Sequence, residues 1–124
     1  LLRKLLSRGF AAEVAGGVVS GLVAERLLDN ARFAESFVHS RCQRGQGPLK
    51  IRAGLHERGI DEGLIDRVLD ENDPQWHELA TQVRRKRFGS TLPTDFRERT
   101  RQMRFLQQRG FSGGQITAVF REVE

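Results

Sequence analysis

The side chains able to act as acids, bases, nucleophiles or metal ligands are thinly spread along these 124 residues. His39 and Cys42 stand one helical turn apart, but no further cysteine or histidine nearby completes the donor set a zinc centre needs. His56 and His77 are isolated. The stretch Ser112-Gly113-Gly114-Gln115 has the glycines of a phosphate loop without its lysine, and Ser112 is better explained as a helix cap. Glu62, Asp66, Asp70 and Asp73 line one side of a helix but lack the glycine-containing ligand loop of a calcium site. They fit a solvated face or an intramolecular anchor for neighbouring arginines. No nucleophile with its base and no ligand set emerges, so the expectation is a protein that is not an enzyme, with no cofactor and no metal.

What the sequence offers instead is anion recognition. Lysine and arginine total 21 against 16 acidic residues, for a net charge of +5, and only three of the 21 are lysine. Arginine presents a rigid fork of donors that matches phosphate and carboxylate, where lysine offers a point charge. Residues 1–50 are net basic, 51–80 net acidic and 81–124 net basic. Arg97, Arg101 and Arg104 recur at i, i+4 and i+7 on one helix face, offset from Phe96, Met103 and Leu106. They form one candidate partner-binding stripe. The run Arg84-Arg85-Lys86-Arg87 is denser, but consecutive residues point around the helix, so only Arg84 with Arg87, or Arg85 alone, faces one partner. Arg41 falls in the middle of an apolar arc made by Phe33, Ala34, Phe37 and Val38. A charge there predicts an internal partner, either a carboxylate or the terminal carbonyls of a neighbouring helix.

Helices must hold these groups, and the chain announces where they stop. The pattern Leu-x-x-Arg-Gly-Phe/Ile occurs at Leu5–Phe10, Leu55–Ile60 and Leu106–Phe111. Gly9, Gly59 and Gly110 suit the left-handed residue that closes a helix, and Phe10, Ile60 and Phe111 then fold back on Leu5, Leu55 and Leu106. Arg8, Arg58 and Arg109 meet the negative helix end. A recurrence of this length, built from helices, marks a repeat array. Asp61, Ser112 and either Thr94 or Asp95 are placed to cap following helices. Asp29 or Asn30 is expected to cap a helix over 31–44, and Asp73 with Pro74, like Pro48, to open others. Trp76, Leu79, Ala80 and Val83 give one apolar stripe, and Phe33, Phe37 and Phe111 are expected in the core. No segment alternates with period two.

The expected fold is therefore all-α: tandem three-helix repeats forming an elongated, curved array, divided as 1–47, 48–92 and 93–124. The first unit starts in mid-pattern and is expected to lack its leading helix. No apolar run approaches the roughly 20 residues of a membrane span. The lone Cys42 fits a reducing, cytoplasmic setting.

Three stretches then carry a resemblance. The Arg-Gly-Phe/Ile stops, LLDNARFAESFVHSRCQRGQGPLKI at 27–51 and FLQQRGFSGGQITAVF at 105–120 appear in the order seen in RecX, the bacterial regulators of the RecA recombinase. Asn30 departs from the family, which often has a second aspartate there. The resemblance implies binding to the RecA–DNA filament within its helical groove. It also implies inhibition of RecA's recombinase, ATPase and coprotease activities, with consequences for recombination, DNA repair and the SOS response. A monomer is expected, with weak contact to single- or double-stranded DNA as a second partner. The alternative is a helical DNA-binding module acting without RecA, since helix pairs joined by short turns resemble helix-turn-helix units. Against it, 112–123 offers only Gln115, Thr117 and Arg121 to base edges, and 61–70 is acidic.

Overall fold

The computed structural model describes residues 21–121, and among them every regular element is a helix. The order is α1 (Gly21–Gln43), α2 (Pro48–Glu57), α3 (Glu62–Val68), α4 (Gln75–Phe88), α5 (Phe96–Gln108) and α6 (Gly113–Arg121). Gly9 and Phe10 lie outside the described residues.

Two of the stops read from the sequence close α2 and α5. At Gly59 the φ angle is +75°, Ile60 N donates to Leu55 O at 3.1 Å and Gly59 N to His56 O at 3.0 Å. At Gly110 φ is +99°, with Phe111 N donating to Leu106 O at 3.2 Å and Gly110 N to Gln107 O at 3.0 Å. Both sets follow the six-to-one and five-to-two pattern that satisfies terminal carbonyls. The same pattern closes α1: Gly45 has φ +78°, Gln46 N donates to Arg41 O at 3.0 Å and Gly45 N to Cys42 O at 2.9 Å. There the residue behind the glycine is polar Gln46 rather than an apolar clamp.

Caps define the opposite ends. Asp61 accepts from Gly63 N and Asp95 from Glu98 N, each at 3.0 Å. Ser112 Oγ accepts from Gln115 N while Gln115 Oε1 accepts from Ser112 N, a reciprocal box. Asp73 accepts from Gln75 N across Pro74. Asp29 does not cap anything: it sits exposed inside α1, which runs unbroken through it. Ala24, Glu25, Arg26, Leu27 and Leu28 all favour the helix, and one interior aspartate costs only about 0.7 kcal/mol against alanine.

The packing sorts the helices into two modules. α1 packs on α2 and α3, which also touch each other, and α4, α5 and α6 do likewise. This grouping is shifted by one helix from the 48–92 and 93–124 divisions. The stops at Gly59 and Gly110 both lie between the second and third helices of a module, so there the repeated motif marks an interior point and not a boundary.

One core runs through both modules. Ile51, Leu55, Ile60 and Ile65 fill the first, Leu106, Phe111, Ile116 and Phe120 the second, and Leu69 with Trp76 bridges them. Trp76 is buried, and its indole N–H donates to Asp70 O at 2.7 Å. Phe33, expected inside, is 43 % exposed, while Phe37 is half-buried and Phe111 fully so.

The modules meet through backbone. Gly47 N donates to Arg109 O at 2.7 Å and Leu49 N to Gly110 O at 2.9 Å. Orphan N–H groups at the start of α2 thus take the terminal carbonyls of α5, positive helix end against negative. Arg109 adds a side-chain bond, donating from Nη1 to Arg44 O at 3.0 Å. Its equivalent, Arg58, donates back to Gly54 O of α2 at 3.0 Å and lies over the ring of Phe37 on α1. Gln115 Nε2 donates to Glu71 O at 2.9 Å and ties α6 to the linker.

The acidic line is partly spent inside the first module. Arg52 on α2 pairs with Glu62 at 2.9 Å, Asp66 at 3.0 Å and Glu71. Partial burial opposes the Arg52 charge, but the hydrogen bonds it donates to Glu71 and Asp66, with the charges of both carboxylates, outweigh that and raise its pKa. Asp70 instead accepts from Asn72 N in the linker turn.

Candidate functional site

The last two residues of α4, Arg87 and Phe88, and the length of α5 line an open groove of about 770 Å³. Asp95 fixes where α5 starts, and burial of Gln102 and Leu106 fixes its rotation. The opposite side of the helix then presents Arg97, Arg101 and Arg104, all exposed, into the groove, and α4 supplies Arg87 from across it. The sequence placed these four arginines in two separate patches; the fold brings them to one surface.

Aromatic rings floor this surface. Phe88 and Phe105 pack edge to face, centroids 5.3 Å apart at 87°. Arg101 lies over Phe88 at 5.1 Å, Arg87 over Phe105 at 5.5 Å and Arg109 over Phe105 at 5.0 Å. A guanidinium laid on a ring keeps its donor edge in solvent while losing rotational freedom, which lowers the entropy cost of meeting an anion. Phe96, at the mouth, is 82 % exposed. Arg101 Nε also donates a bifurcated hydrogen bond to both carboxylate oxygens of Glu98, at 2.8 and 3.0 Å. That hydrogen bond holds the Glu98 carboxyl below the usual carboxylate range.

The other two candidates behave differently. Arg85 is exposed but does not line the groove. Arg84 is a correction: it is 1 % exposed and cannot meet a partner. Its guanidinium donates to Gln102 Oε1 at 3.2 Å and to the carbonyls of Gly89, Ser90 and Thr91 at 3.1, 3.4 and 3.5 Å. Burial, and then the charge of Arg85, holds its pKa below the usual arginine value. The signal was present in the sequence, since Arg84 follows Trp76 and Ala80 at i+8 and i+4 on the buried stripe. Arg41 also finds a partner other than a carboxylate or carbonyl. It is half-buried and stacks on Phe37 at 4.5 Å, with Arg58 on the same ring at 4.7 Å.

A second pocket of about 440 Å³ opens where the modules join, lined by Cys42, Arg44, Lys86 and Arg109 among others, and it shares Arg87 and Phe105 with the groove. Burial pushes the Cys42 thiol up, away from a reactive thiolate. Among the described residues no cluster of histidine, cysteine and carboxylates is arranged to hold a metal, and no helix is long and apolar enough to cross a membrane. Phe96, Lys86 and Arg44 were not singled out from sequence; an exposed phenylalanine directly before Arg97 was the available hint.

Two stretches match family patterns, residues 29–69 the second three-helix domain of RecX and residues 73–120 the third. The second range spans α4 to α6, and the first runs from Asp29 within α1 to just past α3. The chain is 46 % identical over 119 residues to "Regulatory protein RecX" of Halorhodospira halophila, covering 96 % of this chain and 74 % of that protein. Proteins of the same name from Chromohalobacter salexigens and Pseudomonas syringae pv. tomato are 42 % and 41 % identical, over 94 % and 90 % of this chain and 76 % and 72 % of theirs. With both modules matched in order and relatives aligned over nearly its whole length, the chain belongs to the RecX family of regulatory proteins.

Proposed function

We propose that this protein is a non-enzymatic regulator of the RecA recombinase, acting by binding the RecA–DNA filament along its helical groove and restraining ATP hydrolysis, strand exchange and coprotease activity. Family membership supports the regulatory role, since its relatives carry that name. The observation that carries the binding reading is the α4–α5 groove, where Arg87, Arg97, Arg101 and Arg104 converge and no carboxylate lines the surface. Such a surface takes up phosphates or acidic side chains, and both are present in a nucleoprotein filament.

The test is RecA's DNA-dependent ATP hydrolysis titrated with this protein. Groove occupation predicts inhibition that deepens as the protein approaches saturation of the filament. Complete inhibition at a few copies per filament contradicts groove occupation, and no inhibition contradicts the regulatory role. In the variant Arg97→Gln/Arg104→Gln the concentration for half-inhibition is expected to rise at least about tenfold, from two lost charge-assisted contacts. Both side chains are exposed, so the fold is retained, and unchanged inhibition would remove this groove from the interface.

A further inference from the structure

We propose that the groove and the pocket at the module junction form one continuous track for a single strand of nucleic acid, with Phe96 as a stacking platform for a base. This rests on the reading of the groove as the binding face and names what lies in it. Arg87 and Phe105 line both cavities, so the two adjoin along a shared edge between α5, α4 and the end of α1. Arg97, Arg101 and Arg104 supply its cations at one end, and Arg44, Lys86 and Arg109 at the other. Neither lining contains an aspartate or glutamate. Glu98 stands beside the track and is engaged by Arg101.

The aromatic rings decide the kind of polyanion. Phe88 and Phe105 already carry guanidiniums on their faces, whereas Phe96 is 82 % exposed. A bare ring beside a row of cations has little to offer a carboxylate surface, but every unpaired base has a face that stacks on it. In a duplex those faces are hidden and only the phosphates remain. Phe96 therefore discriminates single strand from duplex, while the arginines do not.

The 124-residue chain, without RecA, is titrated against fluorescein-labelled oligothymidylate of about 15 nucleotides by anisotropy, with a duplex of equal length and inorganic polyphosphate in parallel. The single strand is expected to bind more tightly than the duplex, with a slope of log K against log salt of about −4. Phe96→Ala, whose side chain holds up no core, is expected to weaken strand binding about tenfold and leave polyphosphate affinity unchanged. Lys86→Gln is expected to flatten the salt slope by about 0.7, placing the junction on the track. Equal binding of duplex and strand, or a strand affinity indifferent to Phe96→Ala, overturns the proposal. The same variants are then assayed on RecA ATP hydrolysis. Inhibition relieved by Arg97→Gln/Arg104→Gln in a protein that binds no strand makes the occupant an acidic protein surface, which overturns this inference and leaves the regulatory reading standing. Inhibition that survives those changes, beside a strand titration that meets every expectation, supports the track and removes the groove from RecA regulation.

Discussion

Gly110→Ala is expected to lower the melting temperature by roughly 10–20 °C, while Gly59→Ala, at the equivalent stop, lowers it by only about 4–8 °C. Both glycines sit at positive φ, +99° and +75°, where a Cβ costs about 1–2 kcal/mol. Their surroundings differ. A Cβ on Gly59 meets nothing within 4 Å, whereas one on Gly110 falls 2.4 Å from Lys50 Cβ and 2.7 Å from Lys50 N. Relief requires the modules to separate, which breaks the bonds from Gly47 N and Leu49 N to the end of α5. Strain of that kind adds about 1–3 kcal/mol, a large share of the stability of a small domain. Gly47→Ala separates the two causes, because its φ of −86° is ordinary but its Cβ would lie 2.5 Å from the Gly110 carbonyl carbon. Thermal unfolding followed by circular dichroism ranks the three; equal shifts for Gly59→Ala and Gly110→Ala would mean that the modules do not meet as described.

The second large effect concerns Arg84. Its hydrogen-bond partners are all neutral: three loop carbonyls and the amide of Gln102. Arg84→Met removes the donors, leaves Oε1 of Gln102, itself 5 % exposed, without the Arg84 bond and frees the loop at 89–91. Destabilisation of about 2–4 kcal/mol is expected. Replacing both members of a buried polar set by apolar groups is far less costly than removing one. Arg84→Met/Gln102→Leu is therefore expected to recover most of the loss in urea denaturation. A double variant no better than the single would show that Arg84 contributes through something other than the pair.

The parts of this fold that were legible in the sequence are those set by local chemistry. The stops at Gly59 and Gly110 and the caps at Asp61, Asp95 and Ser112 depend on residues within one turn of each other. So does the apolar stripe that buries Trp76. Asp29 misled because a good capping residue inside a run of strong helix formers is simply carried along. Arg41 and Arg84 both lay on apolar stripes, and the same physical argument applied to each. For Arg41 the partner is a ring, which a search for carboxylates overlooks. Arg84 was hidden by its neighbours, since a run of four basic residues looks like surface.

The site was legible only in pieces. Arg97, Arg101 and Arg104 share a face by spacing alone, but their meeting with Arg87 depends on how α5 crosses α4. That crossing is fixed by Arg84, Gln102 and the 89–95 loop. The contact of Gly47 with Gly110 joins segments distant in the chain, and no local pattern announces it. The Arg-Gly motif is likewise local, which is why it located helix ends and misplaced the module boundaries.

Whether the α4–α5 groove faces the RecA–DNA filament, as proposed, is tested by photo-crosslinking from a benzophenone attached at Gln108→Cys, a groove-lining position, in a Cys42→Ser background. Glu57→Cys, exposed at the end of α2, carries the same probe as a comparison. Adducts with RecA or its DNA from position 108 and not from position 57 are the predicted result. Adducts from position 57 alone would show that the other module enters the filament and would overturn the groove contact proposed for α4 and α5.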